Sequence, residues 1–347
     1  MEPIVTWIIP VYNGEKYISE SISSILSQPC KDNRIIVVDD GSIDDTRDIV
    51  TSIQDERILY VYQKNSGVSV ARNVGIEKSE TEYIAFLDAD DVLCKNVYDE
   101  DLHSILQTRE YDLISFSFLF ADEKLEKGRP YWDVDKPEQF INTPSKIDVF
   151  KLTMSFIYKK SLLMNEPATK FPEGIRVQED AIFTLQVLQK SQKMYTQYKY
   201  SFAYRNNPDS VLHTQDFHLL LTDAVRGWHE CKDICTQQWA KDECDIRLFK
   251  NYTDYIRKSC ENGIPVKEIA KSLEPYQIDD VIKNWDKLWI SCKKNYQLFQ
   301  KYPNIFWIKH RIRHLKQVFK HVLLKSKLIR DLLYRQRSFI EILRFIE

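Results

Sequence analysis

The sequence predicts an α/β protein: a mostly parallel sheet flanked by helices, followed by a helical C-terminal region. Three observations point there. The first 120 residues alternate regularly between apolar, β-rich runs and amphipathic stretches. The apolar runs are nearly continuous rather than alternating, as strands covered on both faces must be. After about His218 the chain changes to long helical patterns rich in Trp, Tyr, Lys and Cys. The 347-residue length allows more than one domain, and 43% hydrophobic with 12% aromatic residues excludes a disordered chain.

Taken in order, "IVTWIIPVY" reads as the first strand, and "EKYISESISSILSQ" sets Tyr17, Ile18, Ile22, Ile25 and Leu26 at helical spacing. "RIIVVDD" is a strand ending in acids, and "DDTRDIVTSIQ" a helix with Asp44 near its start. "RILYVYQ" is a strand, "SGVSVARNVGIEKS" a helix opened by Ser66, and "EYIAFLDADD" another strand. A helix around "NVYDEDLHSILQT" and the strand "YDLISFSFLF" complete this half. Ala121 to Ser145 is polar and Pro-rich and reads as a loop. Structure resumes with "KIDVFKLTMSFIYKKSLL". A helix follows in "VQEDAIFTLQVLQKSQ" and a strand in "MYTQYKYSFAYR", which runs into the turn-rich "NNPDSVLH". The domain boundary is expected near 215–220, giving residues 1–217 and 218–347.

Sheets of this kind bind ligands at the carboxyl ends of their strands. Three of those ends carry distinctive polar chemistry: "PVYN", "VVDDGS" and "LDADD". Clustered carboxylates in a partly buried site need a positive charge, and hard oxygen ligands suit Mg2+ or Mn2+. In "FLDADDVL" an extended backbone would put Asp88 and Asp90 on one face. A bare D-x-D is more often a solvated turn, with Asp91 capping a helix near Lys95. The repetition in "VVDDGS" argues otherwise, with Gly41 allowing a tight turn beside Asp39 and Asp40. Tyr12 offers a flat ring at the end of the first strand, suited to stacking on a nucleobase.

Together and in this order, "IIPVYNGEKYISESISSILSQ", "IIVVDDGSIDDT", "QKNSGVSVARNVGIEKSETEYIAFLDADD" and "EGIRVQEDAIF" resemble the family 2 inverting glycosyltransferases of the GT-A fold. The resemblance covers about residues 4 to 212 and is strongest to enzymes of bacterial surface-polysaccharide (capsule-type) biosynthesis. It implies a nucleotide-binding, Rossmann-like half over 1–120 and an acceptor half over 121–217. It also implies a nucleotide-sugar donor, a UDP-sugar first, and a divalent metal, Mn2+ or Mg2+. Pro10, Val11 and Tyr12 would hold the base, and Asp40 with Asp39 the base or ribose. Arg72 would reach the nucleotide, with Asp88 and Ala89 lining the donor. Asp90, with Asp88, would hold the metal. Asp180 matches the family's catalytic base, with Glu179 orienting the acceptor or holding the loop. Arg205, Ser210 and His213 would close over the diphosphate or contact the acceptor. No Q-x-x-R-W pattern of processive synthases is present, so one sugar per encounter is expected. The rival readings are a nucleotidyltransferase, disfavoured by a first loop with one glycine, and a non-catalytic nucleotide-binding protein.

The formal charge of −2 is unevenly spread: residues 301–347 hold twelve lysines and arginines against three acids. Ile312, Leu315, Phe319 and Val322 fall on one helical face of that tail, with Arg313, Lys316, Lys320 and Lys327 away from it. Such a helix suits an anionic membrane surface, or packing on the catalytic domain or a second subunit. Nucleic acid is disfavoured, since no recognition module accompanies the charge. Seven scattered cysteines, with no basic leader and no membrane-length apolar run, indicate free thiols and a cytoplasmic chain, peripheral to the inner membrane face.

Overall fold

A computed structural model describes residues 2–131, 153–165, 167–207, 217–274, 290–301, 303–307, 309–310 and 313. The chain divides into two compact units, Met1–Lys241 and Asp242–Glu347. The first is built on a nine-stranded sheet with helices packed on it.

Strands β1 (Val5–Val11), β2 (Asn33–Asp39), β3 (Ile58–Tyr62) and β4 (Tyr83–Phe86) alternate with helices α1 (Ile18–Leu26), α2 (Thr46–Ser52) and α3 (Val68–Lys78). β1, β2 and β4 are apolar and buried almost throughout. All three pairings among β1 to β4 are parallel. A two-residue strand β5 (Val92–Leu93) and helix α4 (Glu100–Gln107) lead into β6 (Leu113–Ala121) and the short β7 (Gly128–Pro130). Then come a 3-10 turn (Thr153–Ser155), β8 (Phe156–Lys159), α5 (Lys160–Met164), α6 (Glu179–Lys190) and β9 (Met194–Arg205).

The sheet order is β3-β2-β1-β4-β8-β6-β9-β5, with β7 paired to β6. β8, β5 and β7 run against the other six strands. β1, β2, β4, β6 and β9 therefore all end on one edge, which gathers Val11, Asp39, Phe86, Ala121 and Arg205. This mostly parallel α/β sheet has the expected architecture. Pro10, which has no N–H to donate, lies past the last β1–β4 pair, Ile8 with Phe86.

Three local expectations are corrected. The stretch after Ala121 is not all loop: β6 turns at Asp122–Lys127 and returns as β7, because Asp122 N–H bonds the Lys127 carbonyl and Leu119–Ala121 pairs with 128–130. β4 ends at Phe86, so the acids stand in the turn beyond the strand. Asp91 caps no helix. The next one, α4, starts at Glu100 and is capped by Asp99, whose Oδ1 accepts from Leu102 N at 3.1 Å.

Helix α7 (Phe217–Ile234) packs on α6 within the first unit. Gly227 lets it come close, since a Cβ there would stand 2.6 Å from Ile182 Cδ1. Trp228, fully buried, donates from Nε1 to Gln178 Oε1 at 2.6 Å. Helix α8 (Gln238–Glu261) follows α7, and the second unit also holds α9 (Val266–Leu273) and α10 (Ile290–Lys301). There Trp307 Nε1 donates to the Ile264 carbonyl at 2.8 Å, and Cys260 and Phe306 are buried. Of the tail-helix residues singled out in the sequence, Arg313 is described and Ile312, Leu315, Lys316, Phe319, Lys320, Val322 and Lys327 lie outside the described residues. Among the described residues no helix is long and apolar enough to cross a membrane.

The packing of α3 on β1 is tight enough to test. A Cβ at Gly75 would sit 2.3 Å from Ile8 Cγ2, a stiff branch methyl on a buried strand. Overpacking of this kind costs about 1–3 kcal/mol, against a helix-propensity gain of at most about 1. Gly75→Ala is expected to lower the denaturant midpoint, corresponding to a net loss of about 1 kcal/mol.

Candidate active site

The end of β2 carries the first acids. Asp39 is fully buried: Oδ1 accepts from Ser42 N at 2.8 Å and Oδ2 from Tyr60 OH at 2.6 Å. Asp40 accepts from Gln63 Nε2 and Ser66 N on Oδ1, and from Gly67 N on Oδ2, at 2.7, 2.8 and 2.7 Å. Asp40 thus ties the β2 end to the loop opening α3, while Asp39 ties it to its own turn and to β3. Gly41 makes this turn possible: its φ is +82°, and a Cβ would stand 2.7 Å from Asn65 N. Tyr12 stands 52% exposed just past β1, while Pro10 and Val11 are buried in the strand. An exposed ring beside a tight polar turn is free to take a flat ligand on its face.

The second group follows β4. Asp88 Oδ1 accepts from Arg72 Nη2 at 2.8 Å. Asp90 Oδ2 accepts from Asn207 Nδ2 at 2.8 Å, and its carbonyl from Arg205 Nε at 2.6 Å. One oxygen of each acid remains outside those bonds. Ala89 lies between them in the same turn. Asp91 is buried, with Oδ1 accepting from Arg205 N at 2.8 Å and Oδ2 lacking any partner among the described residues. Burial and the neighbouring acids raise the pKa of Asp91 well above the carboxylate range, and burial with Asp88 raises Asp90. Both shifts are chiefly the cost of burying a carboxylate, with the neighbouring acids adding to it.

The third group opens α6. Gln178, at φ +63° in the left-handed region, turns the chain so that Glu179 and Asp180 fall in the first helical turn. Glu179 Oε1 accepts from Arg72 Nη1 at 2.9 Å. Asp180 Oδ1 accepts from the Ala181 N–H at 2.7 Å, and Thr153 Oγ1 donates to the Asp180 carbonyl at 3.2 Å. Burial raises both acids, Glu179 to about 7, while Arg72 opposes the rise in each.

Arg72 therefore joins two sites far apart in sequence. Its side chain is 4% exposed, held between Asp88 and Glu179 and resting 5.1 Å from the Phe171 ring centroid. The adjacent Asn73 fixes that ring by exchanging two hydrogen bonds with the Phe171 backbone, at 2.9 and 3.0 Å. Phe171 also stacks on Phe183 of α6, with centroids 3.8 Å apart.

Arg205 is committed to bracing. Besides Asp90 and Asp91 it reaches the Glu123 carbonyl and, through Nη2, Glu20 Oε2 at 2.6 Å, and it lies 4.6 Å over the Tyr17 ring. Ser210 and His213 lie outside the described residues. Asn207, Glu20, Tyr60, Gln63 and Phe171 escaped the sequence reading. Only Asn207, in "YRNN" beside Arg205, carried a local signal. The others matter through contacts that no spacing reveals.

In a mostly parallel α/β sheet ligands bind beyond the carboxyl ends of the strands, and this edge carries the acids that follow β2 and β4. A family model described as Glycosyl transferase family 2 matches residues 6–169. TuaG of Bacillus subtilis (strain 168), named for a glycosyltransferase role in teichuronic acid biosynthesis, is 30% identical over 263 residues, 71% of this chain and 98% of that protein. EpsJ, an uncharacterised glycosyltransferase of the same organism, is 28% identical, covering 61% of this chain and 63% of its own. A Rickettsia felis glycosyltransferase is 35% identical over 54% of this chain and 30% of its own. The match thus spans less than two thirds of the length of several curated relatives. The solved structure of S. aureus TarS 1–349 with UDP-GlcNAc superposes with a TM-score of 0.64 over 92% of both chains at 18% identity, a likeness of fold. The chain belongs to glycosyltransferase family 2, and its fold is GT-A.

The Glu179 shift makes stability depend on pH. A folded pKa of about 7 against an ordinary 4.5 means the folded chain binds the extra proton between those values. This group's contribution is best below about pH 4.5 and falls as pH rises to about 7, by on the order of 3 kcal/mol. In metal-free buffer, Glu179→Gln is expected to flatten that decline in a pH series of denaturant melts.

Proposed function

We propose that this chain transfers one sugar from a nucleotide-sugar to a glycan or lipid-linked saccharide acceptor, by single displacement with inversion, in cell-surface polysaccharide synthesis. The observation that carries this reading is the Arg72 bridge, which holds the donor-side acid Asp88 and the start of α6 on one guanidinium. The surface-polysaccharide context is supported by the name of TuaG, and a UDP-sugar donor by the TarS complexes with UDP-GlcNAc and UDP on the same fold.

A divalent metal fits the donor set. Asp88 and Asp90 each spend one oxygen on a side-chain donor among the described residues, and burial raises Asp90 and Asp91, so their ionised forms call for a nearby cation. Hard carboxylate oxygens suit Mn2+ or Mg2+. When bound there, the ion supplies electrostatic stabilisation of the leaving nucleoside diphosphate.

The chain's own groups do the rest. Tyr12 stacks on the base, and the Asp39–Asp40 turn shapes the wall beside it. Arg72 holds Asp88 in place and spaces it from α6. Glu179 is spent on Arg72, so Asp180 is the carboxylate left to take the acceptor hydroxyl proton. Its raised pKa, caused chiefly by desolvation, makes it a stronger base than a solvated aspartate. One base acting on one nucleophile gives inversion at the anomeric carbon. The basic tail would hold the enzyme at an anionic membrane face, where lipid-linked acceptors lie.

The test is a screen of UDP- and GDP-sugars with Mn2+ or Mg2+ for turnover and thermal stabilisation, repeated with Asp180→Asn. The variant is expected to bind the same nucleotide with unchanged affinity and to lose about 10²–10⁴-fold in kcat. Transfer at the wild-type rate would remove Asp180 as the base, and no metal-dependent binding of any nucleotide-sugar would overturn the donor assignment.

A further inference from the structure

We propose a zinc site on the opposite edge of the sheet, made by Cys30, Asp32 and His103. Cys30 and Asp32 lie in the link from α1 to β2, and His103 is in the first turns of α4. The Cys30 Sγ, one Asp32 oxygen and a His103 ring nitrogen all lie within 4.8 Å of one another. The whole of β2, seven residues or about 20 Å, separates this cluster from Asp39 and Asp40. It is independent of the donor site and of the proposed reaction.

Each polar ligand already has its outer partner. Asp32 Oδ1 accepts from Tyr98 OH at 2.8 Å, which leaves Oδ2 directed at His103 Nδ1, 2.9 Å away. His103 Nε2 lies 2.6 Å from Gln107 Nε2, and Tyr98 OH lies 3.2 Å from Nδ1. A carboxylate fixed by a tyrosine and an imidazole fixed by an amide form the outer shell that orients zinc ligands. Without metal, a proton on Nδ1 bridges His103 to Asp32. With metal, Nδ1 offers its lone pair and the imidazole proton moves to Nε2. There the Gln107 amide accepts it after rotating its oxygen inward.

The charges balance as well. A Cys30 thiolate and the Asp32 carboxylate neutralise a dication, with the thiol proton released to solvent and His103 neutral. One thiolate, one imidazole and one carboxylate suit zinc better than magnesium or calcium. The fourth position falls to water or to Glu100, the first residue of α4, whose negative charge is felt at the Cys30 thiol.

The surroundings are built to hold the ligands still. Gln28 Oε1 accepts from Val97 N and Tyr98 N at 2.9 and 3.1 Å, and its Nε2 donates to the Ser24 and Cys94 carbonyls. Cys30 N–H bonds the Tyr98 carbonyl at 3.1 Å, and Asn33 Nδ2 the Cys30 carbonyl at 3.1 Å. Zinc here would staple the α1–β2 link to the segment leading into α4.

The full chain, stripped with a chelator, is titrated with Co2+ and then Zn2+. We expect a thiolate-to-cobalt charge-transfer absorption that saturates at one equivalent, vanishes in Cys30→Ser and in His103→Gln, and is displaced by zinc. Zinc should raise the Tm of the wild type and not of either variant. Tyr98→Phe should weaken zinc binding about 10–100-fold without abolishing it. X-ray absorption at the zinc edge of the wild type, which needs no variant, should find one sulfur among nitrogen and oxygen neighbours. No thiolate band, a band that survives Cys30→Ser in a chain with native far-UV circular dichroism, or a sulfur count other than one would overturn the site.

Discussion

The architecture of the acid edge depends on one buried cation. Arg72 sits between Asp88, which follows β4, and Glu179, which opens α6, with Asp180 close enough to feel its field. Three carboxylates at this depth would otherwise repel one another or stay protonated. Removing one partner of such a buried ion pair typically costs about 3–5 kcal/mol, because the other charge is left uncompensated. The guanidinium is suited to this task, since its planar fork addresses two carboxylates at once and stays charged under all working conditions. Burying it requires a fitted seat. Asn73, its neighbour on α3, exchanges hydrogen bonds with the Phe171 backbone and so holds the aromatic ring against which Arg72 lies. The same ring stacks on Phe183, so α3, the loop at 171 and α6 share one packing unit.

A second arginine works on a different problem. Arg205 spends its guanidinium and its backbone N–H on the turn after β4, taking the Asp90 carbonyl, Asp91 Oδ1, the Glu123 carbonyl and Glu20. The position arises from topology: β9 runs parallel to β6 and ends on the same edge as β4, so its last residue meets the acid turn. Arg72 compensates the charge of the site, while Arg205 fixes the backbone that aims Asp90. The two duties could not be exchanged, because Arg205 reaches mostly carbonyl oxygens and Arg72 only carboxylates.

Much of this was legible in the sequence because it rests on local patterns. The buried parallel strands are continuous apolar runs, and the turn at Gly41 announces itself through a glycine beside two acids. The grouping of Asp88, Asp90 and Asp180 came through resemblance to a family whose motifs are short and ordered. The division of labour among them was not legible. Asp39 and Asp40 read as ligand-binding acids, yet their oxygens meet Tyr60, Gln63 and the α3 entry, partners 21 to 27 positions away. Asp91 read as a helix cap because caps are local, whereas its partner is 114 positions downstream. The return strand β7 was missed because three exposed residues, Gly-Arg-Pro, carry no strand signature. Cys30, Asp32 and His103 could not be grouped either, since no metal-ligand spacing spans such a gap.

The raised acids explain why the edge can be compact without being inert. Asp90 is pushed up chiefly by burial and then by Asp88, and Asp91 by burial, Asp90 and Asp88, so ionising all three acids of this turn is costly without a cation beside them. A turn stabilised only by itself would have surrounded these oxygens with donors, as the turn at Asp40 does. Here the donors stop short: Asn207 and Arg72 each take one oxygen, and Asp91 Oδ2 is left without one among the described residues. The two acidic turns therefore differ in how far the described residues satisfy them. The β2 turn is closed by protein donors on both carboxylates. The β4 turn is braced through the Asp90 carbonyl and leaves the buried Asp91 Oδ2 without a donor among the described residues. The divalent cation of the proposed function would bring the positive charge that this turn lacks, and hard carboxylate oxygens would suit it.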